Sequence, residues 1–203
     1  MTQSIALGLC DFIAASPTPF HATKNLLAMF VDNGFSVLDE SQDWGIESNK
    51  AYVVTRNDSS IIAFRTGADI DNGMQMLGAH TDSPCLRIKP NPDIKKHGYA
   101  QLGVEVYGGA LYHPWMDRDL SIAGRVSGVR SNGELFHELI DFKRAIAIIP
   151  NLAIHLDRDA NKSREINAQQ HLPIIIGQNT DIDFKALLLK QLAEEGVDNA
   201  TQV

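Results

Sequence analysis

The chain has 203 residues, of which 44% are apolar and 21% charged, with a formal net charge of −7; such a chain can bury one sizeable core, or one core plus a lobe. The acidic balance argues against a general nucleic-acid binder, which needs a basic face, and no stretch approaches the roughly 20 apolar residues of a membrane span. Two distant cysteines, Cys10 and Cys85, make no disulfide framework. Together with the lack of a basic-then-apolar leader they give the expectation of a cytoplasmic protein.

In chain order, Ile5, Leu9, Phe12 and Ile13 recur close to helical spacing over residues 3–15. Ser16, Pro17, Thr18 and Pro19 stop that helix. A second helix is expected from about His21 to Val31, with Ala22, Leu26, Leu27 and Phe30 inward, and Asn33-Gly34 supplies left-handed capping chemistry at its end. His21 reads first as a polar residue of the opening turn. Residues 52–56 and 61–65 read as strands of a hairpin across 57–60. Asp69, Asp71 and Asn72 lie in a polar loop whose spacing does not fit a calcium loop.

Residues 74–80 run from apolar to ionisable, as an interior strand does when it delivers chemistry at its carboxyl end. If the strand persists, His80 and Asp82 share one face, since strand side chains alternate. Gly78 and Ala79 clear space before the pair, and Pro84 ends the strand. An imidazole with a carboxylate neighbour suits a metal ligand and the acceptor that orients it, or a histidine simply held by an acid. Cys85 is a further candidate ligand, with a small buried thiol as the plainer role.

Beyond Pro90 the residues 91–98 read as a polar connector, and the domain boundary is placed near residue 91. Strand-like runs follow at 101–107, 110–115, 121–129, 134–140 and 145–149, with Asn132-Gly133 as a hairpin turn. Asp117, Arg118 and Asp119 read as an ion-paired corner. Tyr107, Tyr112 and Trp115 read as core or interface aromatics. Residues 157–171 read as an exposed loop, 172–177 as a short strand and 184–192 as a helix capped by Gly196. Residues 197–203 show no closing element. Glu194-Glu195 reads as a solvated helix end.

Several segments carry a resemblance. Leu77-Gly78-Ala79-His80-Thr81-Asp82-Ser83-Pro84 and its continuation to Pro90, the motif from Ala15 to Ala22, the runs at 107–111 and 115–126, and Ile149-Pro150-Asn151-Leu152-Ala153-Ile154-His155-Leu156 resemble, in order, the M18 family of zinc aminopeptidases, the aspartyl aminopeptidases. The fold this implies is α/β: the N-terminal part of a zinc-aminopeptidase-like catalytic domain over 1–91, and an inserted β-rich dimerisation domain over 92–203. The implied cofactor is zinc, two ions in the complete enzyme. His80 is then a metal ligand, Asp82 a catalytic residue orienting it, and His155 a substrate-binding residue that reaches a neighbouring subunit's site. In Leu152-Ala153-Ile154-His155-Leu156 the histidine also reads as a half-buried strand residue bonded locally.

The implied activity is removal of N-terminal, acidic amino acids from peptides by a homo-oligomer, a dimer built into a dodecamer. The family's remaining carboxylate and histidine ligands follow the inserted domain, and none is legible here. The chain is therefore expected to be a truncated enzyme with little peptidase activity of its own. One alternative is a non-catalytic assembly or binding module that keeps the β-rich lobe. Another is a single-metal hydrolase with His21, His80, Asp82 and His155 converging.

Overall fold

A computed structural model describes residues 2–68 and 73–203. It divides into two compact units, Met1–Ser83 and Pro84–Val203. Asp69, Asp71 and Asn72 lie outside the described residues.

In the first unit, α1 spans Thr2–Ala14 and α2 spans Pro19–Asp32. Helix α2 starts two residues before the expected His21 because Thr18 caps it, its side chain accepting from His21 N, and Pro19 takes the first helical position, where no amide donor is needed. It is capped by Asn33 and followed by Gly34, whose φ of 82° only glycine adopts freely. There Gly34 N donates to Val31 O and Phe35 N to Phe30 O, the paired bonds that close a helix, while the Phe30 and Phe35 rings pack 4.9 Å apart.

Strands β1 (Ser36–Val37), β2 (Ala51–Arg56) and β3 (Ser60–Arg65) form a sheet in the order β1-β2-β3. Antiparallel β2 and β3 are the predicted hairpin, turned by Asn57 and Asp58 at φ 52° and 54°. Consecutive burial of Ala51, Tyr52, Val53 and Val54 marks β2 as covered on both faces.

The expected strand over 74–80 does not form. Residues 73–80 carry no regular structure, and Met74, Met76 and Leu77 are exposed at 76%, 81% and 101%. A strand needs a partner for its amides and carbonyls. The run is a member of none of the three sheets, so apolar composition alone does not make it one.

In the second unit, β4 (Cys85–Lys96) and β5 (Tyr99–Tyr107) make a long hairpin around His97 and Gly98, both at positive φ. The expected connector at 91–98 is therefore mostly strand, and residue 91 lies inside it. Pro90 and Pro92 are tolerated because β4 is the edge of the order β4-β5-β8 and the register shifts between Ile88 and Asp93.

Strands β6 (Ala123–Arg130) and β7 (Leu135–Asp141) form the hairpin predicted at Asn132-Gly133, and β9 (Ala200–Gln202) adds to β6. The C-terminal stretch thus does contribute an element. Two further strand expectations fail: 110–115 ends in a short 3-10 turn, His113–Trp115, and 145–149 makes only isolated bridges, to Met116, Leu120 and Ile175. The loop over 157–171 contains α3 (Ala168–His171), and β8 is Ile174–Gly177. Helix α4 (Phe184–Glu194) lies against β7 and β9, and its Phe184 and Leu192 join Leu102, Ile140, Ile149 and Leu172 in one core.

Candidate functional site

The His80 corner lies wholly in the first unit. The His80 ring is 79% exposed. Its Nδ1 donates to the backbone carbonyl of Asp82 at 2.7 Å and lies 3.4 Å from the Asp82 carboxylate Oδ1. A carbonyl can only accept, so in the neutral ring Nδ1 holds the proton and Nε2 keeps its lone pair. The two groups singled out in the sequence do meet, but through a tight corner rather than a shared strand face. The backbone of Asp82 makes the closer bond to the ring, and its carboxylate is a second acceptor.

What positions that corner was missed from sequence. Thr81, between the two polar residues, donates its hydroxyl to the Ser59 carbonyl at 2.8 Å, at the tip of the β2–β3 hairpin. The signal available was only a hydroxyl flanked by functional residues, and its partner lies 22 positions away. A cleft of about 220 Å³ adjoins the corner, lined by Phe12, Ile13, Ala22 and Leu26 together with Ser16 and residues 80–83. Its lining thus combines apolar side chains with the ionisable pair. His21 is not part of this lining; its Nδ1 sits 2.8 Å from the Thr18 hydroxyl, which ties it to the start of α2.

His155 belongs to the second unit. It lies in an exposed turn and not in a half-buried strand, flanked by exposed Leu152, Ile154 and Leu156. The expected ion-paired corner at Asp117 is built otherwise: its Oδ1 accepts from Asn151 N at 2.8 Å. Tyr107 stacks beneath the Arg87 guanidinium, 4.2 Å from the ring centroid. Tyr112 and Trp115 pack against the core as expected. Cys85 opens β4 and is half-buried.

Among the described residues no three His, Cys, Asp or Glu side chains gather as a metal-binding group. Within the first unit, His21, His80 and Asp82 are thus not gathered as a ligand group. His80 Nε2 suits one position of a metal's ligand set, and a catalytic zinc requires at least three protein ligands. No helix is long and apolar enough to cross a membrane among the described residues.

Comparison with known proteins places this corner in context. The sequence profile of the family described as Aminopeptidase I zinc metalloprotease (M18) matches residues 12–199. A "Probable M18 family aminopeptidase 2" of Pseudomonas syringae pv. syringae is 55% identical over all of this chain and 48% of its own length. Ape4, solved by cryo-EM in complex with Nbr1, superposes with a TM-score of 0.89 at 40% identity over 99% of this chain and 41% of its own. The mApe1 dodecamer of Saccharomyces cerevisiae superposes with a TM-score of 0.78 at 25% identity, over 98% and 46%. The chain spans about half the length of the curated relatives it matches. With the family profile covering nearly the whole sequence, the chain belongs to the M18 family of zinc aminopeptidases.

Proposed function

We propose that this chain supplies the first part of a two-zinc aminopeptidase that removes N-terminal acidic residues from peptides. His80 is one metal ligand and Asp82 the residue that orients it. The observation that carries the reading is the bond from His80 Nδ1 to the Asp82 carbonyl, which leaves Nε2 open and aimed by a fixed corner. Zinc, when bound, supplies Lewis-acid polarisation of a peptide carbonyl and a more acidic water. The residues here have a narrower task. The Asp82 carboxylate stabilises the ring's proton on Nδ1, and Thr81 holds the corner against the β2–β3 hairpin.

His155 is proposed as a substrate contact offered to the site of a second copy. Its exposed turn and three apolar flanks support this. Residues 1–91 are proposed as catalytic and 92–203 as a β-rich dimerisation domain, in a cytoplasmic homo-oligomer. The purified 203-residue chain is expected to leave aspartyl and glutamyl chromogenic substrates uncleaved, for want of further ligands.

The test is a chimaera joining this chain to the remaining half of the Pseudomonas syringae relative. It should cleave such substrates, His80→Ala should abolish turnover, and Asp82→Asn should lower it about 10–100-fold, the range for groups that orient a ligand. Full activity in His80→Ala would sink the proposal. A second reading, a non-catalytic assembly module, rests on the self-contained core of residues 84–203. A folded chimaera with no turnover would favour it.

A further inference from the structure

The turn that carries His155 is exposed, yet one side chain ties both of its ends. Asn151 and Asp157 bracket residues 152–156. Arg164 Nε pairs with Asp157 Oδ2 at 3.0 Å, with the two side chains only 14% and 19% exposed. The same guanidinium donates from Nη1 to Asn151 Oδ1. Asn151 in turn donates its backbone N–H to Asp117 Oδ1, and Asp117 donates its own N–H to the carbonyl of Ile149, which is fully buried. Asp117 holds this place at a φ of 52°, a left-handed conformation that aspartate tolerates better than most residues. A line of bonds therefore runs from the core of the second unit to the base of the loop.

The loop above this base does little to hold itself. Leu156 N and Asp157 N both donate to Ala153 O. Leu152, Ile154 and Leu156 are all exposed, and none of them joins the core cluster. Apolar side chains left in water on a turn with an anchored base are arranged for a partner, and rigidity before binding lowers the ordering cost of association. A planar guanidinium fork reaches two acceptors at a fixed angle, which an ammonium on a flexible stem does not reproduce.

We propose that Arg164 is a positioning residue whose guanidinium pinches the base of the 152–156 loop and so pre-organises His155 and its apolar neighbours for insertion into a second copy of this chain. The proposal rests on the reading of His155 given above.

The test is ¹⁵N relaxation of the 203-residue chain. In the wild type, order parameters over 152–156 should approach the roughly 0.85 of rigid backbone, and in Arg164→Met they should fall below about 0.6. Arg164→Lys should restore them only in part. A loop as rigid in Arg164→Met as in the wild type overturns the proposal. If Arg164→Met fails to fold, Asp157→Ala carries the test, since it removes the ion pair and leaves Asn151 with its bonds to Arg164 and to Leu152 N. It must loosen the loop, and an unchanged loop there overturns the pinch. The role of His155 is read separately. In the chimaera, an unchanged KM for His155→Ala would remove its substrate contact while the order parameters still judge Arg164.

Discussion

The two units of this chain fill their interiors differently. In Pro84–Val203, side chains from β5, β6, β7, β8 and α4 meet in one cluster, with Leu102, Ile149, Leu172 and Leu192 fully buried. Among the described residues of Met1–Ser83 the buried ones are few: Ala22 and Thr23 on α2 and the four consecutive residues of β2. Its α1 leaves Ile5, Leu9 and Ile13 exposed, and the apolar run before His80 lies in solvent. The β-rich unit completes its own core. The unit with the ionisable corner leaves apolar side chains exposed on α1 and in the run that leads to His80.

The largest expected effects break this comparison if it is wrong. Ile149→Ala should lower stability by about 2–5 kcal/mol in urea unfolding, the usual loss for a fully buried aliphatic side chain. Leu77→Ala, equally apolar but exposed, should change it by no more than about 0.5 kcal/mol. Comparable losses at both sites would mean that the run at 74–80 is packed.

Gly128→Ala sharpens the picture of the second unit. A Cβ there would meet the Gln202 carbonyl and approach the Phe136 ring to 2.8 Å. Overpacking of about 1–3 kcal/mol is expected, with faster amide exchange at 200–202 as β9 leaves β6. In the first unit, Thr18→Ala removes the cap of α2 and should cost about 1 kcal/mol, read as faster exchange in the helix's first turn.

The smallest expected effect is electrostatic and concerns one ion pair in each unit. Hydrogen bonds from Arg56 hold the Glu40 carboxyl below its ordinary value, and bonds from Lys89 and Gln169 do the same for Glu105. Since both folded values are depressed, each contribution is present above the ordinary carboxylate range and fades as pH falls through the lowered value. Both groups face water, so screening keeps the contributions small. The stability difference between wild type and Glu105→Gln should therefore shrink as pH falls through the carboxylate range, and a difference that does not change with pH would contradict this assignment.

The legibility of the site followed its chemistry and not its geometry. His80 and Asp82 stand out because an imidazole and a carboxylate follow an apolar run, and they do meet, with Nδ1 at 3.4 Å from the carboxylate. The shared strand face invoked to bring them together is absent. The backbone carbonyl of Asp82 and the bond from Thr81 to Ser59 hold the corner instead. The Arg164 tie was equally invisible, because an arginine in a polar loop looks solvated until Asn151 and Asp157 are placed beside it.

Local sequence determined the elements whose signals are short-range: the two N-terminal helices, the β2–β3 and β6–β7 hairpins, α4 and its glycine cap, and the family to which the chain belongs. Tertiary structure alone decided which apolar runs become strands. Residues 74–80 have strand composition and no ladder, whereas 93–96, directly after Pro92, pair with β5. A helix or a tight turn satisfies its hydrogen bonds within a few residues, so its code is written nearby. A strand satisfies them against a distant segment, and that partner is chosen only when the chain has folded.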